Sequence, residues 1–217
     1  MTKKGLFITF EGPDGSGKTT QALLLISSLK KAGYPVLHTR EPGGEPVAEK
    51  IRALLLAPHN RITPVAELLL YWAARSQHVQ GVIGPALDRG AVVVCERFGD
   101  ATMAYQGYGR GLDLSWIKKM NTLAAAGLVP DITILLDIAP RRGLKKVMEA
   151  KGCKDRFEQE HLAFHQKVRR GYLAIGRQEP RRIKIISGNK SIKTIQQKIE
   201  KLVRLKLAYD SKRDHRT

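Results

Sequence analysis

Between the apolar run Leu6-Phe7-Ile8-Thr9-Phe10 and a segment of helical period stands Gly12-Pro13-Asp14-Gly15-Ser16-Gly17-Lys18-Thr19. This matches the spacing G-x-x-x-x-G-K-[ST] in full. Its residue types have a physical logic. Glycines let the backbone fold into a nest whose N–H groups converge on phosphate oxygens. A helix starting there adds its positive end. Lys18 can then reach the β- and γ-phosphates, and the Thr19 hydroxyl can ligate Mg²⁺. The stretch predicts a binding site for a nucleoside triphosphate with Mg²⁺, formed by Gly12, Pro13, Asp14, Gly15, Ser16, Gly17, Lys18 and Thr19. A chance glycine-rich turn would not combine a strand before with a helix after.

The cradle does not choose among kinases, GTPases, motors and transporters. A chain of 217 residues is short for the last two, which carry more domains. Gly188-Asn189-Lys190-Ser191 follows the last apolar run but lacks the Asp that would read guanine. A small kinase is the better reading.

The elements that must position this chemistry follow from periodicity. Runs at 6–10, 35–38, 91–95, 132–136 and 183–186 read as strands. Helical patterns cover 18–31, 46–56, 64 to about 87, 114–126, 141–151, 157–178 and 191–209. Gly33 suits a helix end, and Pro46 and Pro64 suit first turns. Strands alternating with helices predict right-handed crossovers and a five-stranded parallel sheet covered on both faces. The fold class is α/β, three layers in one domain spanning 1–217.

Composition bounds the setting. Only two cysteines occur, Cys95 and Cys153, which excludes a disulfide framework and favours a reducing cytoplasm. Cys153 has no His or second Cys at ligand spacing and reads as an incidental thiol. No apolar run approaches a membrane span, and the stretch after Thr2-Lys3-Lys4 is too short for a signal peptide. The 38 Lys and Arg outnumber 20 Asp and Glu, for a net charge of +18. That excess is uneven: residues 1–140 carry net +3, residues 141–217 net +15. A basic third implies an anionic partner or a solvated face.

Further segments read as a second site at the strand ends, where ligands of parallel sheets sit. They are Thr39-Arg40-Glu41-Pro42-Gly43-Gly44, then Leu70-Tyr71-Trp72-Ala73-Ala74-Arg75-Ser76-Gln77-His78, then Cys95-Glu96-Arg97-Phe98 with Ala104-Tyr105-Gln106-Gly107. With Asp155-Arg156-Phe157-Glu158, they closely resemble the bacterial thymidylate kinases over essentially the whole chain. The resemblance implies transfer of the γ-phosphoryl of ATP to dTMP and a homodimer. It implies acceptor-site roles for Asp14, Tyr71, Arg75, Arg97, Thr102, Tyr105 and Gln106. Tyr71 and Arg75, four apart and so on one helix face, would stack on thymine and bond its carbonyl. Arg97 would hold the acceptor phosphate, for which its fork is suited. Tyr105 would crowd out a 2′-hydroxyl, and Asp14 would meet the acceptor's 3′-hydroxyl.

The chain departs from the family at several points. Glu96 stands where Asp is usual, one methylene farther out, as the carboxylate for Mg²⁺ beside Thr19. Asp137 is a rival by position. Glu45 and Ala101 replace a Thr and a hydroxyl or amide residue. Family members bring basic residues from a mobile lid, expected here over about 141–156, with Gly143 and Gly152 as hinges and Lys145, Lys146, Lys151, Lys154 and Arg156 as cations. Arg156, then Lys151, are the expected catalytic cations beside Lys18 and Arg97. Two other readings compete: a kinase for a different nucleoside monophosphate, and a nucleic-acid-binding module on the basic third. Against the latter, the late helices lack an interleaved aromatic surface, so nucleic acid is not the expected partner.

Overall fold

The computed structural model describes residues 5–151 and 155–214. Five parallel strands, β1 (Leu6–Glu11), β2 (Val36–Arg40), β3 (Val92–Glu96), β4 (Ile132–Asp137) and β5 (Ile183–Ser187), lie in the order β2-β3-β1-β4-β5. β1 is central and buried along its length, as a strand covered on both faces must be. The expected three-layer α/β architecture is what the chain adopts.

Period-two alternation divides the core. Ile8, Phe10, Val92, Val94, Ile132 and Ile134 face α1 (Lys18–Lys31) and the closing helix at Ile192–Asp214. Phe7, Val93 and Cys95 pack beneath the helical path at 79–87. On that side two hydroxyls, Thr9 and Thr133, bond each other at 2.7 Å across β1 and β4. Buried hydroxyls so paired avoid the cost of an unmet donor.

Helix α2 (Pro46–Leu56) starts at the expected proline, with Glu45 accepting from Val47 and Ala48 backbone N–H groups at its N-cap. The residue that departs from the family is thus a cap. The expected helix over 64–87 is one continuous path, but it loosens: α3 (Pro64–His78) passes through a π-helical turn at Val79–Ile83 into α4 (Gly84–Asp88). A helical segment not foreseen follows β3, α5 (Gly99–Thr102) continuing as π-helix through Met103–Gly109. α6 (Leu114–Ala124) ends two residues early.

α7 (Pro140–Lys151) matches expectation, but α8 runs Leu162–Gln178 rather than from 157. The reason is local. Asp155 Oδ1 accepts from the Phe157 and Glu158 N–H groups, and Glu158 returns a bond to the Asp155 N–H at 2.9 Å. This reciprocal capping closes a turn ahead of the helix. α9 (Ile192–Asp214) completes the fold. Gly152, Cys153, Lys154 and the Lys151 side chain lie outside the described residues.

Candidate active site

The P-loop sits where β1 hands over to α1. Gly12 and Gly15 have φ of 136° and 70°, a region L-residues avoid. A Cβ on Gly15 would strike the Gly143 carbonyl, so the loop packs directly on α7. Gly143, expected as a hinge, is therefore a close-approach residue. The N-cap Gly17 offers no side-chain bond, and the first turn of α1 holds no acidic residue. The free N–H groups are left for an anion.

Lys18 Nζ fills the cradle itself, bonding the Gly12 and Pro13 carbonyls at 3.0 and 2.9 Å. Burial, with Arg97 nearby, pushes its ammonium down to about 7. Around the loop, Lys146, Val147 and Ala150 of α7 and Gly188 and Lys190 beyond β5 line one cleft with residues 15–21. Among the cations expected in a lid, Lys146 is thus brought to the P-loop.

A second cleft opens on the other side of Asp14. It is lined by every acceptor-site residue read from the sequence: Asp14, Tyr71, Arg75, Arg97, Thr102, Tyr105 and Gln106. One cluster ties this cleft to the P-loop. Arg97 Nη2 donates to Asp14 and, at 3.2 Å, to the Tyr105 hydroxyl, which in turn donates to Asp14 Oδ2 at 2.8 Å. Arg97 Nη1 reaches the Gly12 carbonyl at 3.1 Å and the Tyr172 hydroxyl at 3.0 Å. Burial alone would raise the Asp14 carboxyl, but Arg97 and Lys18 beside it hold it below the usual carboxylate range. Arg97 adopts φ 67°, a strained value for a bulky residue held by four partners.

Arg75 is almost wholly buried. Its three nitrogens donate to Glu41, Asn121 and Thr102 at 2.7–2.9 Å, and the guanidinium covers the Phe98 ring at 5.1 Å. Two further N–H bonds remain on Nη1 and Nη2. Tyr71 meets Phe157 edge-on at 6.1 Å, and Tyr105 is wedged by Phe157, Phe164 and Tyr172. A ring gripped on three sides cannot swing aside for a larger ligand.

Thr19 Oγ1 donates to Glu96 Oε2 at 2.6 Å at the loop's outer edge. Asp137, the rival of Glu96 by position, is instead held bidentate by Arg169, at 2.6 and 2.8 Å. Arg156, expected as a catalytic cation, is not brought to the P-loop. It donates to the Leu55 carbonyl and to Glu67, each at 2.7 Å, and lies 4.4 Å over Phe157. Glu67, fully buried, also accepts from Gln106 and Arg110.

Sequence reasoning missed Arg52, Glu11 and Tyr172. Arg52 donates to the Pro42 carbonyl at 2.7 Å and lines the acceptor cleft. An arginine on the inward stripe Ala48-Arg52-Leu55 was the available signal. Glu11 accepts from the Phe98 N–H and the Tyr172 hydroxyl, both at 2.7 Å, and burial with Asp100 nearby raises its carboxyl to about 7.

A sequence model of one family, described as thymidylate kinase, matches residues 10–199. The chain belongs to the thymidylate kinase family. A thymidylate kinase of Syntrophotalea carbinolica is 54% identical over 189 residues, covering 84% of this chain and 88% of that protein. One from Geobacter sp. strain M21 is 51% identical over 209 residues, covering 94% and 93%. The crystal structure of a thymidylate kinase from Ehrlichia chaffeensis superposes with a TM-score of 0.77 at 34% identity, over 93% of this chain and 99% of that one. The thymidylate kinase resemblance read from the motifs is therefore the family itself.

Proposed function

We propose that the chain transfers the γ-phosphoryl group of ATP to dTMP, giving dTDP and ADP. One observation carries the reading: Asp14 belongs to the phosphate cradle and, through Arg97 and Tyr105, to the acceptor cleft as well. A donor phosphate in the first and an acceptor phosphate on Arg97 would meet end to end, as in-line transfer requires. The acceptor phosphate is a nucleophile without deprotonation, so the chain supplies charge and position rather than a base.

Mg²⁺ fits the outer edge of the loop. The donor set there, the Thr19 hydroxyl and the Glu96 carboxylate, is hard oxygen, and Mg²⁺ is commonly held by one or two carboxylates plus substrate phosphates. Bound there, Mg²⁺ would neutralise charge on the phosphate oxygens. Lys18 binds and orients the β- and γ-phosphates, and α7 with its neighbours is the lid that excludes water. Arg75 reads the base through its two spare N–H bonds. A coupled assay of ADP release with dTMP, dUMP, UMP, AMP, CMP and GMP tests the reading. Strong turnover with dTMP, weaker with dUMP and little with UMP is expected; preference for another acceptor would sink the dTMP assignment.

ATP binding should be linked to a proton. Lys18 titrates near 7 in the ligand-free fold, and a bound polyphosphate restores its charge. kcat/KM for ATP is therefore expected to fall as pH rises above about 7. Calorimetry in buffers of different ionisation heat should show uptake approaching one proton at about pH 8.5 and little at about pH 6.

Arg156 acts in our reading as an anchor between the 155–158 turn and Glu67. Arg156→Met should lower the melting temperature by roughly 3–6 °C and kcat by less than about tenfold, well short of a lost transition-state cation. Lys146, which lines the P-loop cleft, is the better-placed lid cation.

A homodimer is supported by exposed apolar side chains on two packed helices, Val65 and Leu69 of α3 and Trp116 and Leu123 of α6; the proposed setting is the cytoplasm, for which the low cysteine content is suited. Sedimentation should find two chains together, and Leu69→Lys should separate them. No described helix is long and apolar enough to cross a membrane.

A further inference from the structure

We propose that His38 is a positioning residue: its imidazole fixes the Glu96 side chain so that one carboxylate oxygen stays beside the Thr19 hydroxyl, where it serves the Mg²⁺ of bound ATP. The inference rests on the phosphoryl-transfer reading above. β2 and β3 run parallel with Arg40 level with Glu96, which puts His38 two residues back on the same sheet face. His38 Nε2 lies 3.1 Å from Glu96 Oε1, while Thr19 Oγ1 donates to Oε2 at 2.6 Å. A carboxylate only accepts, so Nε2 carries the proton. Each Glu96 oxygen thus has one assigned partner, and the carboxylate plane is set.

The extra methylene of Glu96 makes this arrangement both necessary and feasible. It adds a rotatable bond between backbone and carboxylate, which left alone would spread the oxygens over several rotamers. It also lets the carboxylate reach the edge strand β2; an Asp on the same backbone stops a methylene short of His38. Hydrogen bonds from outside the coordination shell orient metal-binding carboxylates in this way. His38 is about one-third exposed and absent from the core clusters. It opens on the groove shared by Lys18, Thr19, Glu96 and Arg97. Its replacement therefore leaves the fold intact.

The test is a double-mutant cycle read by metal affinity. Mn²⁺ binding to the protein–ATP complex is followed by electron paramagnetic resonance, with the Mg²⁺ dependence of kcat alongside. His38→Leu is expected to weaken Mn²⁺ binding about tenfold, with the melting temperature and the KM for dTMP unchanged. His38→Gln, which keeps a donor near Nε2, should recover affinity to within about threefold of the native protein. In Glu96→Asp, adding His38→Leu should change affinity less than about twofold. Equal losses in both backgrounds, or no loss in the native one, would overturn the proposal and leave phosphoryl transfer standing. A native protein that binds no Mn²⁺ with ATP would overturn both.

Discussion

Lys18→Met is expected to lower phosphoryl transfer about 10³-fold or more without lowering the melting temperature. The two halves have one cause. Lys18 Nζ is buried among the Gly12 and Pro13 carbonyls, placed where phosphate oxygens would otherwise draw it. In the ligand-free fold its ammonium is pushed down to about 7 from a usual 10.5. The unfolded chain therefore holds more protons between those values, and the stability contribution of this group rises with pH across that window. Below about pH 7 the native fold buries a charged ammonium, and methionine removes that burden. The thermal advantage of Lys18→Met should be largest near pH 6 and fade toward pH 10. Scanning calorimetry at a series of pH values, with single-turnover kinetics on the same protein, reads both. A variant that melts well below the native protein at about pH 6 would contradict the burial argument; one that keeps native turnover would contradict the role.

The fold was legible because parallel strands buried on both faces leave continuous apolar runs, and all five runs became strands. The residues expected at the acceptor stood out as motif fragments, and all of them line one cleft. What periodicity could not give was the helical path Gly99–Gly109, which carries Thr102, Tyr105 and Gln106. A π-helical stretch has no 3.6-residue stripe, and its glycines argue for a loop. Arg156 was misplaced for a related reason. Lys151 and Lys154 lie a few residues upstream, but its partner Glu67 stands 89 residues earlier on α3, and no local pattern reports so distant a pair. Glu11 and Tyr172 were invisible likewise: a carboxylate ending a strand and a tyrosine on a helix, 161 residues apart, meet beneath Arg97. Sequence spacing exposes the side chains that face a ligand better than those that hold them in place.

Arg97→Lys should lower kcat/KM for dTMP roughly 10²–10³-fold, although the charge is kept. The guanidinium is used as a fork: one nitrogen spans the Gly12 carbonyl and the Tyr172 hydroxyl, the other Asp14 and Tyr105. A lysine ammonium is a single point and cannot span these pairs, whereas the guanidinium does so and keeps its Nε–H for a phosphate. Behind the fork stands the chain Glu11–Tyr172, so Arg97 has its orientation set before any ligand arrives. Such preorganisation matters most where charge develops. ATP binding measured alone should change little, since the donor cradle is built on Lys18 and backbone N–H groups. Tyr172→Phe provides the graded comparison. It removes the support under Nη1 but leaves the fork, and it should lose about tenfold or less. Nearly equal losses from Tyr172→Phe and Arg97→Lys would mean that alignment of the guanidinium, rather than its direct contact with the acceptor, carries the effect. A loss in Arg97→Lys confined to the KM for ATP would move Arg97 to the donor side and break the end-to-end arrangement on which the reaction depends.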